Sequence, residues 1–129
     1  MVEWIKMNKY LGTKKDIHTR IHKFVTCCFM DVVRKIPKAP ENITIIKQIS
    51  ASLTSMGAND QEADAADSKK DFVAKYRIVK KETKETKYWL SFIRDTGIQT
   101  EKVVDPYLKE SQEILLIVSR IVLNSQRAK

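Results

Sequence analysis

The chain has 129 residues, enough for one domain with a continuous buried core and too few for several. Three glycines and three prolines cannot supply the many tight turns of a β-rich fold. A formal net charge of +8 and a pI near 9.5 favour polyanionic partners, whether nucleic acid, acidic protein or anionic lipid.

Residues 1–13 carry Trp4, Ile5, Tyr10 and Leu11 without periodicity and read as a lead segment before a bundle domain at 14–127. The start lacks the apolar h-region and cleavage site of a signal peptide. No apolar run approaches the roughly 18 residues of a membrane span, so no membrane association is expected. Over 14–36, Ile17, Ile21, Phe24, Val25, Cys28, Phe29, Val32, Val33 and Ile36 recur three and four apart, the stripe of an amphipathic helix. Pro37 ends it. The adjacent Cys27 and Cys28 make a strained disulfide and read as two reduced thiols of a cytoplasmic protein.

A short link to Pro40 forces an antiparallel second helix over 42–66, with Ile46, Ile49, Leu53 and Met56 as its apolar line and Ala51, Ser52 and Gly57 allowing close approach. Its last third is acidic and opposes the helix dipole, so fraying is expected there. Ser68 and Asp71 resemble a capping box that opens a third helix over 69–95, with Phe72 first in its apolar run. Phe72, Tyr76, Val79, Thr83, Thr86, Leu90 and Ile93 form a heptad seam. Ile78, Glu82, Glu85, Trp89 and Phe92 flank it on one side, and Arg77, Lys80, Lys84, Lys87 and Arg94 on the other. Gly97 suits the C′ position. Asp105 and Pro106 read as N-cap and N1 of a fourth helix reaching about residue 126, with Leu108, Leu115, Val118 and Val122 beside Ile114, Ile117 and Ile121. The expected fold is all-α, an antiparallel up-down-up-down four-helix bundle.

No reaction is visible. His18 and His22, four apart, read as solvated surface histidines, since no third ligand accompanies them. Glu82 and Glu85 lack the Glu-x-x-His partner of a bundle di-metal site. No phosphate loop or nucleophile–base set is present, so neither enzyme activity nor a cofactor is expected. Asn59 and Glu62 on the second helix fall near residues 72–77 of the third, where Lys75 and Arg77 balance the acids. The basic line of the third helix, with Arg20, Lys23, Arg34 and Lys35 of the first, is the candidate phosphate-binding surface for RNA or DNA. Aromatic residues are not interleaved with that line, which argues against sequence-specific single-strand recognition. A structural or protein-interaction module is the competing reading.

The strings Ser55-Met-Gly-Ala-Asn59-Asp-Gln-Glu62-Ala63, Ser68-Lys-Lys-Asp71-Phe72 and Lys81-Glu82-Thr-Lys-Glu85-Thr-Lys-Tyr88-Trp89-Leu90 resemble the bacterial four helix bundle protein family, whose founders are encoded by intervening sequences within 23S ribosomal RNA genes. The resemblance covers roughly Asp16 to Val122. It implies a homopentameric ring of bundles with no established enzymatic activity. A more distant similarity, to the accessory variability proteins of diversity-generating retroelements, implies RNA and a reverse transcriptase as partners. The acidic end of the second helix, with Asp60, Ala66 and Asp67, departs from such a polyanion-binding surface.

Overall fold

A computed structural model describes residues 14–127, with side chains from Ile17 to Gln126; the lead segment at 1–13 lies outside them. Four helices make the bundle: α1 (Lys14–Asp31), α2 (Ile43–Asp64), α3 (Lys69–Asp95) and α4 (Glu101–Arg127). No strand occurs among the described residues. Short links make consecutive helices antiparallel. α2 packs on α1 and α3, and α4 on α3 and α1, so α1 and α3 stand at diagonal corners. Their inward faces meet in one core around Ile21, Phe24, Ile49, Leu53, Tyr76, Leu90, Tyr107 and Ile114, all fully buried.

The first helix is shorter than its apolar spacing predicts. The α-helix stops at Asp31, and a 3₁₀ turn over Val33–Lys35 leads to an extended Ile36. At three residues per turn, positions i and i+3 eclipse, so Val33 and Ile36 both reach the core. The extended Ile36 (ψ 127°) is the backbone that Pro37 requires of its predecessor. Cys28 is wholly buried and Cys27 half-buried, and neither is bridged.

α2 ends at Asp64, two residues before the predicted end, where the Ala65 N–H bonds back to Gln61 (3.2 Å). Of its small residues, Ser52 is the one buried against α3. It donates to the Ile49 carbonyl (3.1 Å) and accepts from Thr86 (2.8 Å). Gly57 faces Val25 of α1 instead, and Ala51 is exposed.

α3 matches its predicted bounds because both ends are locally specified. The Ser68 hydroxyl accepts from the Asp71 N–H at 3.1 Å. At the other end Gly97 (φ +74°) occupies the left-handed region, and Ile98 N–H to Ile93 and Gly97 N–H to Arg94 (both 3.1 Å) form a Schellman stop.

The fourth helix departs most from expectation. It begins at Glu101, and Pro106 lies inside it rather than at N1. Val104, Tyr107 and Ser111 are all wholly buried, three and four apart, so the core-facing stripe starts before the proline and carries the helix back with it. The Thr100 carbonyl accepts from the N–H groups of Val103 (3.1 Å) and Val104 (3.0 Å).

Candidate nucleic-acid interface

The predicted basic residues do not form one surface. Arg20 is a clear correction: it is only 9% exposed and forks onto Glu110 of α4, Nε to Oε2 at 2.6 Å and Nη2 to Oε1 at 2.7 Å. Such a guanidinium is spent on its partner and cannot take a phosphate. The hydrogen bond to Glu110 also holds its pKa above the ordinary value. Arg94 is engaged too, by Asp95 (2.9 Å) and Asp105 (3.3 Å). Lys23 lies on α1, diagonal to α3, so its outward side faces the other way. Arg34 and Lys35 are exposed in the turn after α1, at the bundle end where Gln99 of the α3–α4 link bonds the Val32 carbonyl (3.4 Å).

Arg77, Lys80, Lys84 and Lys87 remain on the solvent side of α3, and among the described residues none is paired with a carboxylate. Arg77, Lys81, Lys84 and Tyr88 are all exposed and lie four, three and four apart, so they form the outermost line of the helix. Lys80 and Lys87, half-buried, border it. The predicted line itself holds no aromatic, but one stands beside it on the outermost face. Tyr88 is 58% exposed there, because burial of the seam Val79–Thr83–Thr86–Leu90 turns the opposite side of the helix outward.

The residues flanking the seam on its other side serve structure. Trp89 and Phe92 are half-buried and pack on the core edge to face (5.8 Å between ring centres). Burial, and then the neighbouring Glu85, raise the pKa of Glu82. At the α2–α3 turn Lys75 pairs with Glu62 at 3.6 Å, the compensation expected there. Phe72 stacks near Tyr76 (4.7 Å), and Asn59 bonds within its own helix to the Ser55 carbonyl (2.8 Å).

The histidine reading also needs correction, for one of the pair. His22 is exposed, but His18 is tucked between α1 and α2. Its Nδ1 lies 2.8 Å from Asp60 Oδ1 and its Nε2 lies 3.2 Å from Asp64. Tyr76 donates to the same Asp60 oxygen at 2.7 Å. Asp60 is wholly buried with Oδ2 unpartnered, and burial raises its pKa against the opposing bonds from Tyr76 and His18. Tyr107, also wholly buried, donates to Asp31. The sequence did carry a signal for these pairs. Asp60 sits in the register Ile49–Leu53–Met56–Asp60–Ala63, and Arg20 between Ile17 and Phe24, each a charge at a core position. Among the described residues no group of His, Cys, Asp and Glu is arranged to hold a metal ion, and no helix is long and apolar enough to cross a membrane.

No curated protein matches the chain. Among solved structures, a protein of unknown function from the S23 ribosomal protein family of Bacteroides thetaiotaomicron superposes with a TM-score of 0.74. It is 29% identical, and the match covers 82% of this chain and 97% of that one. A TM-score of this size along nearly all of that relative shows that the two share a fold. With residues 13–120 matched by the family described as 23S rRNA-intervening sequence protein, the chain belongs to that family.

Proposed function

We propose that the protein is a non-enzymatic helical bundle that binds structured RNA through the outer face of α3. The carrying observation is the row of cations Arg77, Lys80, Lys84 and Lys87, which the fold leaves on the solvent side without carboxylate partners among the described residues. Surface lysines usually find nearby acids. Here several acids are drawn off elsewhere, Glu62 to Lys75, Asp95 and Asp105 to Arg94, and Glu110 to Arg20, which leaves Glu82 and the exposed Glu85, beside Lys81, as the carboxylates near the strip. A strip of net positive charge along one rigid helix suits a phosphate backbone, whose condensed counterions are released on contact.

Binding to a structured RNA is expected to weaken steeply with salt, the logarithm of affinity falling with a slope of about −0.7 to −0.9 per phosphate neutralised, the values for single-stranded and duplex nucleic acid. Lys84→Ala should flatten that slope by about one such unit. No affinity at low ionic strength, or affinity indifferent to salt, ends this reading.

Self-association is the second reading, favoured by Leu116 (69% exposed) and Leu123 (44%), seven apart on the outward side of α4. Exposed leucines at heptad spacing suit a second helix. Light scattering of the full chain decides it: an oligomer that Leu116→Lys dissociates supports the reading, and a monomer removes it.

A further inference from the structure

We infer that Tyr88 is a stacking platform for an unpaired RNA base, so that the α3 face takes single-stranded segments of an RNA rather than its duplex stems. This rests on the RNA reading above and adds the substrate class and a contact residue to it. The cations Arg77, Lys81 and Lys84 and the ring of Tyr88 share one outward line about 16 Å long, at the 1.5 Å rise of an α-helix. A line of positive charge ending at an accessible aromatic ring is the pattern of single-strand binders, in which lysines track the phosphates and rings hold the bases.

The ring is held as a platform must be. Trp89 meets it nearly edge on (5.0 Å between centres, 75°), and Phe92 lies 6.3 Å away. Both braces are themselves packed on the core, so little side-chain freedom remains to be lost when a base arrives. Charge complementarity chooses among occupants. The exposed Glu85 lies one turn before Tyr88, but Arg77, Lys81 and Lys84 leave the face net positive, so a second copy presenting it would bring like charges together. A paired stem hides its base faces in the stack, whereas loops and bulges present them.

The probes are a 12-nucleotide oligo(A) RNA and a 12-base-pair RNA duplex, titrated into the full chain at low salt. Tyr88→Ala should weaken oligo(A) binding about fivefold or more, as loss of one base–aromatic stack does, and leave duplex binding within about twofold. Tyr88→Phe should bind oligo(A) like the parent, since the ring and not the hydroxyl carries the contact. In a Trp4→Phe protein, whose one remaining tryptophan is Trp89, oligo(A) should quench the tryptophan emission, and an unchanged emission on binding would count against the platform. Equal loss on both probes, no loss on either, or a changed oligomeric state of Tyr88→Ala with oligo(A) affinity intact would each overturn the inference. If the parent binds both RNAs and Tyr88→Ala changes neither, the stacking platform fails while the phosphate-binding reading stands. If the parent binds neither, both fail.

Discussion

At the scale of single residues, the charges inside the bundle govern its stability more than those outside. Arg20 and Glu110 join α1 to α4 with two short bonds. Removing one member strands the other in the core, so Arg20→Met alone should cost about 3–5 kcal/mol in urea unfolding. Arg20→Met with Glu110→Leu should recover most of that loss, because two apolar side chains leave no buried charge behind. Asp60 gives a signed pH dependence. Burial raises its folded pKa, so in the window above the ordinary carboxylate range the native state holds a proton that the unfolded chain has released. Its contribution to stability is therefore greatest at the acid side and falls as pH rises through the folded value. Asp60→Asn should remove that decline, a difference visible in unfolding free energies measured between about pH 4 and 7. Periodicity reported Arg20 and Asp60 as polar letters at apolar positions. What it did not contain was the partner, since Glu110 lies 90 residues away from Arg20.

Helices were legible to the extent that their ends are made by local chemistry. α3 has a Ser68 cap and a Gly97 stop, and its bounds follow from the sequence. The start of α4 does not, because Asp105-Pro106 is a strong local start signal that loses to the burial of Val104 and Tyr107. The two helix-associated glycines separate the same forces. An alanine Cβ at Gly57 would meet Val25 at 3.6 Å, an ordinary contact, so Gly57→Ala should stabilise the bundle by about 0.5–1 kcal/mol through helix propensity. Gly97 has open space around it but a φ of +74°, so Gly97→Ala should cost about 1–2 kcal/mol despite the room. Thermal melts of the two variants should therefore shift in opposite directions.

For the whole molecule, the diagonal placement of α1 and α3 decides which cations act together, and diagonal placement is a tertiary fact. The sequence reading joined Arg20, Lys23, Arg34 and Lys35 of the first helix to the basic line of the third. The fold sends their outward sides in opposite directions, buries Arg20 and ties Arg94 to two aspartates. What survives is a narrower site on one helix, with an aromatic ring that spacing from the seam did not place among the cations. The adjacent thiols of α1 have a consequence of another kind. Cys27 is part-open, whereas Cys28 is wholly enclosed and burial pushes its pKa up, away from the reactive thiolate. One peptide bond thus separates a label site available in the native state from one that reacts only when the bundle opens. Under an alkylating reagent the protein should take up a first equivalent quickly and a second at the rate of its own opening, a stopwatch for unfolding already written into the chain.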